Sequence, residues 1–502
     1  MMGSEEIFGA LAFHHGTKHP DGNLLDRRHR YNPRRRPPRV KNYKGGRVVQ
    51  LPKPDSYSRS SALATLKREP DDSIHLEMDL AALGNLLHYS AGVTKWLSRP
   101  PVGKVPFRAA SCTGALYHIE LYAAWSGSEQ LEAGLYYYQP EEHSLRQLRT
   151  GDPRERLNQA AEIESVSEAP LTLIVTSAYW RNAVKYQARA YRHAFWDSGT
   201  ILANTLALSA AYGWKTQLIG GFIDSKIEGL LGIEKQTEIP LFMLAVGDGA
   251  RGSAGTGLGE LQAEPEPISD FDMDWPAIAA IHRETALGAL DQLLDWRGRI
   301  YQAPADDKGN QKTVGLDTSE PEAVPTDPIE DVIQRRGSSR RFRRESVSSA
   351  ELEAILGTLE PPVESEVGEG ILNKLFIIVN GVQGLNPGKY LFHNGDLVQF
   401  DRGEYRVQSR QLALGQDLGG DAALNLYWLA DLEGVVGSLG DRGYRLAQLQ
   451  AAEAAGRGYL AAYGLGLGAT GLTFFDDQVI EFFEPASRGM EVMFLLAIGQ
   501  PS

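Results

Sequence analysis

Cysteine is nearly absent from this chain: one residue, Cys112, in 502 excludes an intrachain disulfide framework and any cysteine-rich metal site. No metal is therefore expected. The opening MMGSEEIFGALAF lacks the basic n-region and long apolar h-region of a secretory signal, and it reads as that of a cytoplasmic protein. No run approaches ~18 uninterrupted apolar residues, which argues against a membrane span. Cations are outnumbered, 51 Lys and Arg against 64 Asp and Glu, and the net charge of −13 does not suit general binding to nucleic acid.

What is present is the composition of a globular protein, 42% hydrophobic and 23% charged. A single core rarely grows beyond ~250–300 residues, so two domains are expected. Residues 1–50 form a basic N-terminal arm with eleven Lys and Arg against four Asp and Glu. Its run Arg34-Arg35-Arg36-Pro37-Pro38-Arg39 could bind an acidic peptide or a phosphate, or could be a solvated arm lying over the first domain.

An internal repeat organises the rest. Ala210-Ala211-Tyr212-Gly213 returns as Ala461-Ala462-Tyr463-Gly464, Arg189-Ala190-Tyr191-Arg192 as Arg442-Gly443-Tyr444-Arg445, and the strand LFMLAVG ending at Gly247 as MFLLAIG ending at Gly499, each offset by about 252. The tyrosine-rich strand at Gly134–Tyr138 likewise has a counterpart at Gly388–Phe392. The halves span residues 51–249 and 326–502. Residues 250–325 between them read as a Gly-rich, then acidic linker holding one helix from about Trp275 to Trp296. Each half alternates helices such as Lys185–Tyr212 with short β-rich runs such as Leu171–Thr176 and Leu375–Val379, which suits an α+β or α/β sandwich.

Three segments could carry chemistry. Arg335-Arg336-Gly337-Ser338-Ser339-Arg340-Arg341-Phe342 precedes a predicted helix capped near Ser349, and such cations and small hydroxyls can grip a phosphate, although a basic solvated turn looks the same. Gly464–Gly471 contains GxGxxG, but it follows the helix-like run Gln448–Tyr463 and leads into β-like Leu472–Phe475, the reverse of a dinucleotide fingerprint. Its glycines, including Gly466 and Gly468 around Leu467, suit close backbone approach to a flat ligand, or simply stop a helix. Lys185-Tyr186 is expected on one long helix with Arg189, Arg192 and His193, where a buried lysine beside cations would be a base and the tyrosine a proton relay, although a solvated helix face looks the same.

In order along the chain, FHHGTKHP, NYKG with VVQLP, FRAASCTGALYHIELYAA, GLYYYQPEEHSLRQL, KYQARAYRHAFWDSG, IGGFID, RRGSSRRF and DRGYRLAQLQAAEAAGRGYLAAYGLGLG resemble the nitroreductase superfamily. Within it they are most similar to the peptide-azoline dehydrogenase branch, whose members oxidise thiazolines and oxazolines. The resemblance implies an α+β fold of two nitroreductase-like halves, each a sheet with flanking helices, forming an intramolecular pseudo-dimer. It also implies flavin mononucleotide at their interface, its phosphate held by an RRSxR-type opening of one unit and its ring by a PSAG-type loop of the other. The loop here is Ser111-Cys112-Thr113-Gly114-Ala115-Leu116-Tyr117-His118, without either proline of PSAGALYP. Cys112 could touch flavin or substrate, but reads more simply as a small loop residue.

The repeat indicates that one site survives. Aligning Leu86-Leu87 with Ile355-Leu356 sets Arg340 and Arg341 opposite Asp71 and Asp72, and two carboxylates would repel a phosphate. The offset between halves then falls from about 269 to about 254, so the second half has lost residues where the first carries its loop. Lys185 and Tyr186 correspond to Ser438 and Leu439. The expectation is one flavin per chain. The second half supplies Arg335, Arg336, Ser338, Ser339, Arg340, Arg341, Gly466, Leu467 and Gly468; the first supplies Ser111, Cys112, Thr113, Gly114, Lys185 and Tyr186. The implied activity is dehydrogenation of an azoline in a peptide, with a small-molecule or peptide substrate and a biosynthetic partner enzyme as candidate partners, in a monomer or a homodimer. The alternatives are a nicotinamide-dependent nitro or quinone reductase and a flavin-free scaffold that binds a peptide.

Overall fold

The computed structural model describes residues 9–32, 37–67, 74–100, 103–249, 257–267, 274–303, 312–313, 326–363, 365–367 and 370–502. Arg34, Arg35 and Arg36 of the basic run, and Asp71 and Asp72 of the internal alignment, lie outside them.

Each half is built on one antiparallel sheet. In the first, strands run in the order Val48–Gln50, Ser144–Thr150, Gly134–Gln139, Ile119–Trp125, Leu171–Ser177, Ile239–Val246, Thr216–Ile219. The second repeats that order from Asp396–Arg402 through Gly388–His393, Lys374–Val379, Leu424–Ala430 and Glu491–Pro501 to Gly468–Gly471. Both are α+β units with helices on their faces, as expected. Tyr136, Tyr137 and Tyr138 of the first sheet are all buried, so helices cover it on both faces, whereas Gly388–His393 alternates buried and half-buried residues as a strand with one wet face does.

The two longest helices, Ala190–Ala211 and Leu432–Gly464, cross between the sheets. Their contact is made by small residues: a Cβ on Gly456 would meet that of Ala203 at 2.6 Å, and Gly199 lies equally close to Ala452. With the repeat offset of 253, Gly199 corresponds to Ala452 and Ala203 to Gly456. Equivalent residues thus touch one another, which marks the axis of a pseudo-two-fold. One buried apolar cluster runs through both halves. Among the described residues no helix is long and apolar enough to cross a membrane.

The pseudo-symmetry extends to hydrogen bonds. Helix Gly9–Gly16, inside the basic arm, carries Phe13-His14-x-x-Thr17; helix Pro276–Thr285, inside the span read as linker, carries Ile281-His282-x-x-Thr285, 268 residues on. Thr17 and Thr285 each donate back to the two carbonyls three and four residues earlier. Around the first, Arg189 and Arg192 bind the buried Asp476, which accepts the His19 N–H, and Arg189 donates to Thr17 O. Around the second, Arg442 and Arg445 bind the buried Asp224, which accepts the Leu287 N–H, and Arg442 donates to Thr285 O. Each cluster joins residues of both halves. Burial opposes ionisation of Asp476, yet the two guanidiniums hold its carboxyl far below the ordinary range.

Three local expectations need correction. The helix expected from Trp275 to Trp296 is two, Pro276–Thr285 and Leu290–Arg297, because Ala286 turns extended and Leu287 accepts the Asp224 N–H while donating its own N–H to the Asp224 carboxylate. The helix expected over Lys185–Tyr212 is interrupted: it ends at Tyr186, Gln187 takes φ +54°, and the long helix starts at Ala190. The strand after the glycines is Gly468–Gly471 rather than Leu472–Phe475, since its residues pair with Leu496–Gly499. The first half also carries a hairpin, Val93–Arg99 with Gly103–Arg108, that leads into the 111–118 loop. The second half has no strand between helix Ser349–Gly357 and Lys374 in its described residues.

Candidate functional site

Loop 111–118 begins where the hairpin ends, and its backbone is unusual. Gly114, Ala115 and Tyr117 have φ of +64°, +52° and +48°. Glycine takes this region freely, but other residues do so at a cost of about 1 kcal/mol or more each, so the surrounding structure must hold the loop.

Asp197, on the long first-half helix, supplies one restraint. Its buried carboxylate accepts the Thr113 N–H at 2.9 Å, the Thr113 hydroxyl at 2.8 Å and the Cys112 thiol at 3.1 Å, and it lies 2.8 Å from His118 Nε2. His118 Nδ1 is 2.8 Å from the Ser177 hydroxyl. Cys112 also accepts the Tyr117 N–H, so its sulfur closes the loop on itself. Burial and the Asp197 carboxylate push the thiol well above its ordinary value, which keeps it protonated and unreactive. Cys112, His118 and Asp197 bring ligand-type atoms within 4.8 Å of one another, but the hydrogen bonds to Asp197 account for that proximity.

The other restraint comes from the opposite half. Arg336 reaches across the interface and donates from Nε to Ala109 O and from Nη2 to Arg108 O, both at 2.9 Å. Its guanidinium lies 5.9 Å from the centre of the Tyr459 ring, and Arg108 stacks on Tyr117. Burial lowers the Arg336 pKa from its ordinary value. The Tyr459 hydroxyl is 3.2 Å from that of Ser338 and accepts the Gly471 N–H at 2.5 Å. Ser339 donates its N–H to Ala469 O, and its hydroxyl fills the space that a side chain at Gly468 would need.

Lys185 and Tyr186 sit at the far side of the same loop. A Cβ on Gly114 would stand 2.7 Å from the Tyr186 hydroxyl and 3.4 Å from Lys185 Nζ, so only glycine lets the loop approach them. Lys185 Nζ is 4.8 Å from the centre of the Tyr186 ring, and His193 meets that ring edge-on at 4.8 Å. Burial raises the Tyr186 pKa, so its hydroxyl keeps its proton at neutral pH. Lys185 is exposed, contrary to the burial expected from its sequence context. Arg189 and Arg192 turn instead to Asp476, because the break at Gln187 separates them from the pair.

The remaining expected residues divide. Arg340 and Arg341 are exposed and have no ion-pair partner among the described residues, while Arg335 pairs with Asp327 at 2.6 Å. Gly466 has φ +77° and faces open space, but Leu467 is buried in the core. Ser111 accepts a bond from Thr200 through its carbonyl. Unpaired guanidiniums beside the Ser338 and Ser339 hydroxyls suit a phosphate, and glycines 114, 466 and 468 suit close backbone approach to a ring. These residues fit flavin mononucleotide. Sequence reasoning missed Asp197, His118, Arg108 and Tyr459, since their bonds span tens to hundreds of residues. Only the clustering of Asp197 with His193 on one predicted helix hinted at the first.

Known proteins share this architecture. Residues 90–248 match the nitroreductase family, within the half that carries the loop and Lys185-Tyr186. A protein of Methanocaldococcus jannaschii described as a nitroreductase is 26% identical over 200 residues, 40% of this chain and 95% of its own. The microcin B17-processing protein of Escherichia coli is 26% identical over 157 residues, 30% of this chain and 57% of its own length. A crystal structure described as a nitroreductase from Anabaena variabilis superposes with a TM-score of 0.79 at 26% identity, covering 99% of this chain and 100% of that one. The chain thus carries a nitroreductase-family domain, set in a nitroreductase-like fold that takes in both of its halves.

Proposed function

We propose that this nitroreductase-family oxidoreductase binds one flavin mononucleotide between its halves and dehydrogenates azoline rings in a peptide. The observation that carries the reading is the meeting of complementary parts at loop 111–118: Arg336 of one half on the Arg108 and Ala109 carbonyls that lead into it, Lys185 and Tyr186 of the other at Gly114. Arg340, Arg341, Ser338 and Ser339 would hold the phosphate. When bound, the flavin supplies the two-electron acceptor for a substrate C–H bond. Lys185, exposed and beside the loop, takes the proton that leaves one ring carbon as the C=C bond to its neighbour forms, and Tyr186, which keeps its own proton, orients or relays it. The two electrons so accepted would pass on to oxygen or another acceptor. The likeness to the microcin B17-processing protein supports a processing reaction on a peptide substrate.

A second reading is reduction of nitro compounds or quinones with a nicotinamide donor, and the nitroreductase description of the Methanocaldococcus relative supports it. The visible spectrum and flavin content of the purified protein test the common premise. One flavin per chain, lost in Arg340→Ala/Arg341→Ala, is expected; a colourless protein that takes up no added flavin mononucleotide overturns both readings. Conversion of a thiazoline peptide to its thiazole, against turnover of a nitroarene with NADPH, then separates them.

A further inference from the structure

The pseudo-two-fold defines a second position, related to the composite site by exchange of the halves. Its landmarks can be read off the offset of 252–253. Lys185-Tyr186 and the break at Gln187 correspond to Ser438-Leu439 and Gly440, and both Gln187 and Gly440 have positive φ, +54° and +65°. Strand Gly468–Gly471, whose end touches Tyr459 at the composite site, corresponds to Thr216–Ile219, so Gly220 and Gly221 stand where Leu472 and Thr473 stand in the other half. A ring bound at the second position would lie between Leu439 and the Gly220-Gly221 backbone.

That space holds parts of the chain itself. Trp296, from helix Leu290–Arg297, is 3% exposed; its indole donates to Leu439 O at 2.9 Å and lies so close to Gly221 that no Cβ could be added there. The backbone N–H groups of Gly220 and Gly221 both donate to the carboxylate of Glu366, the first at 2.9 Å. Ser365 also bridges Leu218, and Arg297 donates to Gly221 O. An aromatic plane against a glycine backbone, with an acceptor on two adjacent N–H donors, offers what a planar heterocycle with a carbonyl edge would offer.

We infer that the second interfacial position is a planar-ring site that this chain fills permanently with its own Trp296 indole and Glu366 carboxylate. This rests on the flavin reading of the composite site, and to the loss of a phosphate grip expected from the sequence it adds a second cause for a stoichiometry of one: the slot is occupied. Glycine at 221 is then explained by the indole's approach, and at 220 by the Leu446 side chain 2.7 Å from where a Cβ would stand, rather than by a turn, since neither residue has positive φ. Burial raises the Glu366 pKa, and the two N–H donors work against that shift.

The test uses the full chain saturated with flavin mononucleotide, and lumiflavin, an isoalloxazine without phosphate, as probe. The unaltered chain is expected to hold one flavin mononucleotide and to leave lumiflavin fluorescence unquenched. Trp296→Gly/Glu366→Ala is expected to quench one further equivalent of lumiflavin and to gain thermal stability from it. If that variant fails to fold alone, lumiflavin should restore its fold, as read by circular dichroism. A folded variant that ignores lumiflavin, an unfolded one that lumiflavin does not rescue, or two flavins in the unaltered chain would overturn the inference. Absence of flavin mononucleotide from the unaltered chain would instead sink the proposed function, which keeps the two failures apart.

Discussion

Replacing Arg336 with alanine should separate the composite site from a chance meeting of loops. The side chain makes two bonds to carbonyls of the residues that open loop 111–118, each 2.9 Å long, and stacks on Tyr459. Bonds from a charged donor contribute ~1.5–3 kcal/mol each, and the half-buried position argues for the lower end. With ~0.5 kcal/mol from the stacking, some 3 kcal/mol is at stake. Loop 111–118 is strained, so much of that energy goes to holding the conformation that receives the ring. At 1.4 kcal/mol per tenfold, the affinity for flavin mononucleotide should fall by about a hundredfold. Fluorescence quenching gives the dissociation constant directly. Arg336→Lys, which keeps the charge but not the fork, should fall between. Arg343→Ala removes an exposed arginine of the same segment that donates to Pro501 O, and should shift affinity by less than about twofold. A folded Arg336→Ala protein that binds the cofactor within about threefold of the unaltered chain would refute the bridging role.

Other expectations follow from the buried clusters and the proton-handling pair. Asp476→Asn and Asp224→Asn each leave two buried guanidiniums without their carboxylate, so urea unfolding should show losses of about 3–5 kcal/mol, similar at the two mirrored sites; losses below about 1 kcal/mol would contradict the structure. Burial and Arg192 lower the His14 pKa to about 4, and burial and Arg189 lower that of His19 to about 4. Because the unfolded chain then takes up protons first, stability is full above the ordinary histidine value near 6.5 and is lost as pH falls toward 4. For the fully buried His14 the loss is about 3 kcal/mol, and His14→Gln should flatten the melting-temperature profile in that window. Glu491, which burial opposes but His14 and Lys18 hold down at about 2, adds a further loss of the same sign below about 4.5. Lys185→Ala should leave the flavin content unchanged while slowing azoline oxidation by ~10²–10⁴-fold in single-turnover absorbance traces; an unchanged rate would remove Lys185 from the mechanism.

The duplication was legible in the sequence because its strongest signals are short and local: AAYG, the Arg-x-x-Arg helix start and the last strand each keep their spacing over about 252 residues. The alternation of apolar runs left α+β and α/β both open, and the resemblance to the nitroreductase superfamily pointed to α+β; the RRGSSRRF, SCTG and Lys-Tyr segments stood out by composition. Tertiary structure decided which of these meet. Arg336 rather than Arg335 crosses the interface, Arg189 and Arg192 face Asp476 and not the reaction, and Leu467 belongs to the core. Gln187 breaks a helix whose periodicity runs through it, since one positive φ leaves no mark on an apolar pattern. The helices bearing His14 and His282 were assigned to an arm and a linker because a His-x-x-Thr match across 268 residues carries little weight without the Asp476 and Asp224 clusters that make it necessary. Local propensity and spacing are written in consecutive residues, whereas a buried charge finds its partner, and an indole its slot, only after the chain has closed distances of a hundred residues or more.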